Sequence, residues 1–183
     1  MSLTAHKFYG LNGIGLLIKR RNLALEPLIH GGESTTIYRS GTPTVALASS
    51  LACALDLAVT DLPGRVDHVA KLNAELRAAL STYPLVRLNS PDHAIPHVLN
   101  LSVRNVKGTV FQRELDAKGV CVSVKSACSS DGLPSRAVFA VSRDRRNALS
   151  SWRISLSHLT TEDEIKAFLQ AFDVCYRELT AVH

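Results

Sequence analysis

The chain has 183 residues, 46% of them hydrophobic, which suits one domain of ordinary size or one and a part and is too apolar for disorder. Against 21 Lys and Arg stand 16 Asp and Glu, so the net charge is +5; that permits an acidic partner but does not demand one. Cysteines at 53, 121, 128 and 175 show no C-x-x-C spacing, which excludes a zinc ribbon and a thioredoxin-type motif, and they are too scattered for a disulfide scaffold. No apolar run approaches the roughly 18 residues of a membrane span, and no secretory signal opens the chain. A soluble, cytoplasmic protein with no membrane partner is expected.

Residues 1–42 read as short strands and turns. The run Gly13-Ile14-Gly15-Leu16-Leu17-Ile18 ends at Lys19-Arg20-Arg21 and reads as a strand leaving a core. His30-Gly31-Gly32 is a turn, and Thr42-Pro43 opens a helix whose body, 45–59, is apolar on most sides and so reads as buried. Asp61-Leu62-Pro63-Gly64 marks a break and a domain boundary. An amphipathic helix over 66–80 follows, with Val69, Leu72, Leu76 and Leu80 on one stripe. Strands are then predicted at 86–88, 98–103, 120–124 and 153–156, and helices at 110–118, 136–141 and 162–179. Thr161 with Glu164 forms a capping box for the last of these. The fold class is α/β (α+β), divided into residues 1–62 and a small α+β domain at 63–183, a sheet with helices on one face. Residues 1–42 look like the tail of a larger domain, and Met1-Ser2-Leu3 is open to reading as a cloning scar.

Few residues invite chemistry. Lys7 follows Thr4-Ala5-His6 and precedes Gly10 and Gly13. A lysine there is by default a solvated charge; on a turn beside an apolar strand it becomes an amine for Schiff-base chemistry, with Thr4 and His6 as anion donors. Cys128 sits in the Ser- and Gly-rich stretch Lys125-Ser126-Ala127-Cys128-Ser129-Ser130-Asp131-Gly132, either a partly buried free thiol or a loop nucleophile. Cys53, Cys121 and Cys175 read as core packing. Arg153, inside Trp152-Arg153-Ile154-Ser155-Leu156, is either on the exposed face or a fork for a carboxylate. His93 and His97 have Pro96 between them, so no helix holds them together and no metal site is expected. With aromatics at 5% and basic clusters that read as solvated faces, no nucleic-acid partner is expected.

Taken together these segments resemble a family. Thr4-Ala5-His6-Lys7-Phe8-Tyr9-Gly10 resembles the S-[AG]-H-K-x-x-G motif of cysteine desulfurases, which are class V, fold-type I pyridoxal-phosphate enzymes. Arg39-Ser40-Gly41-Thr42 is similar to their R-[AS]-G-T motif, and Trp152-Arg153-Ile154-Ser155-Leu156 to their I-R-[FI]-S-L strand. Val120-Cys121-Val122-Ser123 with Ser126-Ala127-Cys128-Ser129-Ser130 is similar to the strand and sulfur-accepting loop of the group with the longer cysteine loop. The motifs occur in the family's order and span the chain, over the C-terminal half of the family's usual length.

The resemblance implies a fold and a set of roles. The fold would be the C-terminal small domain of a fold-type I enzyme plus a remnant of its large, cofactor-binding domain. Lys7 would be the Schiff-base lysine of pyridoxal 5'-phosphate and would move the substrate Cα proton. Thr4 and His6 would contact the cofactor phosphate, and Thr42 the phosphate of the neighbouring subunit in a homodimer. Arg153 would hold the substrate carboxylate. Cys128 would take sulfur from L-cysteine as a persulfide, leaving L-alanine, and pass it to an acceptor protein such as an iron–sulfur scaffold. Departures include Gly10-Leu11-Asn12-Gly13 for G-P-K-G, Gly132-Leu133-Pro134-Ser135 for S-L-E-P-S, and His158 where an arginine is common. The family's pyridine-nitrogen aspartate lies in its front half, so these residues by themselves are expected to be inactive. The alternatives are a related class V aminotransferase or lyase, and a non-catalytic truncated interaction module that pairs with a partner through apolar surface.

Overall fold

The structure, a computed structural model, describes residues 1–32, 36–125 and 133–181. The chain divides into two compact units, Met1–Leu62 and Pro63–His183.

In the first unit, β1 (Ser2–Thr4) pairs antiparallel with β2 (Gly15–Leu17), Leu3 opposite Leu16. Between them lies a 3₁₀ turn, Ala5–Phe8, closed by Tyr9 in the left-handed region. The turn sits on α1 (Val45–Thr60). Gly10 makes this possible: a Cβ there would come within 2.8 Å of the Ala5 Cβ and 3.2 Å of the Ala54 Cβ. Ser50 Oγ adds a hydrogen bond from the Leu11 N–H at 3.1 Å. The expectation of a buried α1 is corrected. Only Leu51 and Ala54 are buried, while Val45, Leu57 and Val59 are exposed, because the element packed on α1 within this unit is one small turn.

The break is also shorter than expected. α2 (Leu62–Leu80) begins almost at once, with Pro63 and Gly64 inside its first turn. Proline there lacks only an N–H that would have had no partner, so α2 can open one residue after α1 ends, at the boundary between the two units.

The second unit is a three-stranded antiparallel sheet in the order β3 (Val86–Leu88), β4 (Val98–Val103), β5 (Ser151–Ser155). Side chains alternate between its faces. Leu99, Leu101 and Val103 of β4 and Trp152 and Ile154 of β5 point into the core. There they meet Val69, Leu72, Leu76 and Leu80 of α2, Phe111 and Leu115 of α3 (Gly108–Asp116), and Ile165, Phe168, Phe172 and Cys175 of α6 (Glu162–Thr180). Trp152 stacks on Phe111 at 5.1 Å between centroids, and Phe172 contacts both rings. The capping box is present: Thr161 Oγ1 accepts from the Glu164 N–H, and Glu164 Oε2 accepts from the Thr161 N–H.

Several expectations, one of them in the first unit, are corrected. The strand predicted over 120–124 is reduced to a single bridge, Ser123 with Arg153, and Cys121 is exposed rather than core. Gly119, at φ +78°, turns the chain out of α3, and one residue then reaches β5. Cys53 is likewise exposed, so of the three expected core thiols only Cys175 is buried. An unpredicted helix, α5 (Arg145–Ser150), follows α4 (Arg136–Ser142). Asp144 caps it, accepting from the Arg146 and Asn147 N–H groups, and Ser102 Oγ donates to the Asn147 carbonyl. That bond puts α5 over the second face of the sheet, so helices are not confined to one face.

Candidate functional site

In the first unit the predicted residues gather on one turn. Thr4 ends β1, and His6 and Lys7 occupy the 3₁₀ turn, all three exposed. Ala5 between them is fully buried, and its carbonyl accepts from both the Tyr9 and Gly10 N–H groups. The buried alanine, the close approach at Gly10 and the Ser50 bond hold the turn in place while the amine projects to solvent. Thr42 is exposed on the loop entering α1, directly after Gly41 at φ +102°.

The second unit carries a cleft of about 940 Å³ on the sheet face away from the core. Its described lining includes four cations, Arg87, Lys125, Arg136 and Arg153, and no carboxylate. Such a wall selects an anion. Arg153 is half-buried in β5, with its neighbours Trp152 and Ile154 in the core. Its Nε is buried and has no hydrogen-bond partner among the described residues. Trp152 Nε1 is buried and unpaired in the same way, so what marks Arg153 for an anion is its charge on the wall of the cleft. Lys125 and Pro134, which flank the stretch 126–132, both line this cleft. Cys128 itself lies outside the described residues.

Sequence reasoning missed the polar residues that complete the cleft. Asn100 is the direct β4 partner of Arg153. Asn89 bonds Asn100 and Ser102, and Asn147 bonds Asn89. The signal available was Asn100 at an outward position of an alternating strand; the strand register that puts it beside Arg153 is not local information. Arg87 and Arg136 carried no motif. Among the described residues no group of three or more His, Cys, Asp or Glu is placed to hold a metal ion. Also among them, no single helix is long and apolar enough to cross a membrane.

Comparison with known proteins supplies the frame. The aminotransferase class-V family model matches residues 1–168. Cysteine desulfurase IscS of Dictyoglomus turgidum is 32% identical, aligned over all of this chain and 47% of its own length. Cysteine desulfurase IscS of Vibrio cholerae is 35% identical, over all of this chain and 46% of its own. A solved NifS-like protein superposes with a TM-score of 0.83 at 31% identity, covering 99% of this chain and 46% of that one. The chain thus spans about half the length of the curated relatives it matches, and its two units share the fold of the NifS-like protein.

For a pyridoxal-phosphate group, the donor set of the first unit fits one end. An exposed primary amine suits the aldehyde, and a hydroxyl and an imidazole on the same turn suit the phosphate. With a family model matched over 168 of its 183 residues, this chain belongs to the aminotransferase class-V family.

Proposed function

We propose that these residues serve a pyridoxal 5'-phosphate-dependent cysteine desulfurase, which takes sulfur from L-cysteine and leaves L-alanine. The observation that carries this reading is the cleft: cationic, lacking a carboxylate among its described residues, and lined by Lys125 and Pro134, which lie before and after the stretch that holds Cys128 in sequence. Plain transamination has no use for a thiol such as Cys128. When bound, the cofactor supplies an aldehyde that captures the substrate amine and a ring that draws electrons from Cα.

Each side chain has a bounded task. Arg153 binds the substrate carboxylate through its planar fork. Lys7 Nζ anchors the cofactor and carries the Cα proton. Thr4 Oγ1 and the His6 ring donate to the phosphate. Thr42 serves the phosphate site of a second subunit in a homodimer. Cys128 receives the sulfur. In the net change the Cβ–S bond of L-cysteine is replaced by an S–S bond at Cys128, and Cβ gains the hydrogen of the attacking thiol. Carbon is reduced, sulfur is oxidised, and no outside oxidant is needed. The persulfide then passes to an acceptor protein, an iron–sulfur scaffold being the class proposed, in the cytoplasm.

The test is mass analysis of a full-length enzyme carrying these residues, loaded with pyridoxal 5'-phosphate, after exposure to L-cysteine. The peptide bearing Cys128 should gain the mass of one sulfur atom while L-alanine appears, and Cys128→Ser should stop both. Unchanged alanine formation in Cys128→Ser would remove the sulfur-accepting role.

A further inference from the structure

The polar face of the sheet carries a chain of hydrogen bonds in which each link dictates the next. The Asn147 carbonyl can only accept, so Ser102 Oγ donates its one proton there, at 3.1 Å. Toward Asn89, 2.8 Å away, Ser102 Oγ can then only accept, so Asn89 must present its NH₂ group. The same NH₂ lies 2.9 Å from the Asn100 side chain, which must therefore present its carbonyl oxygen. Asn89 Oδ1, turned the other way, accepts from Asn147 Nδ2 at 2.9 Å. The chain closes with donors and acceptors alternating throughout.

Its end is the Asn100 NH₂, the one group in the series with no partner among the described residues. Because Asn100 Oδ1 is committed to Asn89, the NH₂ is on the opposite edge of the amide. Asn100 and Arg153 are direct partners across β4 and β5, and both line the cleft. Cross-strand partners have Cβ atoms roughly 5 Å apart on one face of a sheet. Donors on two such side chains can converge on the two oxygens of one carboxylate.

We infer that Asn100 is a second ligand of the substrate carboxylate, donating its NH₂ beside the Arg153 guanidinium, with Asn89, Ser102 and Asn147 as the positioning residues that set its orientation. The inference rests on the reading of this cleft as the carboxylate site. A neutral, pre-oriented donor adds directional discrimination, since it rewards a planar anion seated on Arg153 and does little for a chloride ion or a displaced anion.

The experiment is NMR titration of this chain with L-alanine, following the Arg153 Nε–H and Asn100 side-chain NH₂ resonances. Both should move along one saturation curve. If Arg153 moves and Asn100 stays, the inference is wrong and the carboxylate reading stands. If neither moves, both are wrong. Asn100→Asp supplies a second readout. It is isosteric and keeps an oxygen for Asn89 Nδ2, but it turns an anionic oxygen toward the ligand. L-alanine affinity should drop about tenfold or more, as expected for losing a charge-assisted hydrogen bond and gaining a repulsion. An unchanged affinity in folded Asn100→Asp would overturn the proposal, because a purely structural amide would tolerate that exchange.

Discussion

Ser123 and Arg153 exchange two backbone hydrogen bonds, the Arg153 N–H donating to the Ser123 carbonyl at 2.7 Å and the Ser123 N–H to the Arg153 carbonyl at 3.1 Å. The chain leading to Cys128 is thereby fastened to the residue whose guanidinium lines the anion cleft. Gln112 Nε2 adds a bond to the neighbouring Val122 carbonyl at 2.9 Å. In the proposed function, this sets the starting point of a sulfur-carrying stretch relative to its substrate.

Arg153→Lys keeps the charge and loses the fork. A lysine ammonium cannot offer two parallel N–H groups to a carboxylate, and it removes the buried Nε. L-alanine binding by this chain should weaken about tenfold to a hundredfold, the worth of one to two charge-assisted hydrogen bonds, in a calorimetric or NMR titration. Equal affinity in the lysine variant would mean that the cleft attracts anions by charge alone.

Asp144 should give the second unit an acid-side weakness. The Asn147 N–H bond, followed by the Arg146 N–H and the charges of Arg87 and Arg146, holds its carboxyl below the ordinary aspartate value, against an opposing effect of burial. A lowered folded-state value means that the stabilisation is present above the ordinary pKa of about 4 and is lost as pH falls through the folded value. The urea midpoint, read from the single tryptophan, Trp152, should therefore fall as pH drops below about 4. Asp144→Asn keeps the cap acceptor and removes the titration, so its acid limb should be flatter. Parallel limbs would show that Asp144 carries none of the pH dependence.

Thr161→Ala removes one half of a reciprocal pair. The Glu164 N–H loses its acceptor, and the Glu164 carboxylate keeps only its bond from the residue 161 N–H. The cost should be about 1 kcal/mol, visible as a lower urea midpoint with an unchanged slope. Thr161→Ser should recover most of it. A serine variant as weak as alanine would place the effect in the threonine methyl group instead.

Phe172 is the hub of the aromatic core, fully buried and in ring contact with Tyr83, Phe111, Trp152, Phe168 and Tyr176. Phe172→Ala should cost about 3–5 kcal/mol, because the surrounding rings belong to two helices, a strand and the turn after α2 and cannot all collapse into the gap. The buried Cys175 thiol, pushed up by desolvation, should then become reactive toward a thiol reagent under native conditions. Continued protection in the alanine variant would show that the core repacks.

The parts of this protein legible in its amino-acid order are those governed by near neighbours. The apolar spacing of Val69, Leu72, Leu76 and Leu80 specified the buried stripe of α2. The alternation from Val98 to Val103 specified β4 to the residue, and Thr161 with Glu164 specified the start of α6. The motif around Lys7 likewise lies within one turn. What tertiary structure alone decided depends on pairing between distant segments. Period-two alternation says that Asn100 and Arg153 each leave the core face, but not that they stand opposite one another; that needs the register of β4 on β5. The orientation of the Asn100 amide depends on Ser102 and Asn147, the latter on a helix with too few residues to show a period. The valines of 120–124 satisfied strand propensity, yet a strand exists only where a partner edge is in reach, and here that reach extends to Ser123 alone. Burial of α1 failed for the same reason: composition measures what a helix can bury, while its neighbours set what it does bury.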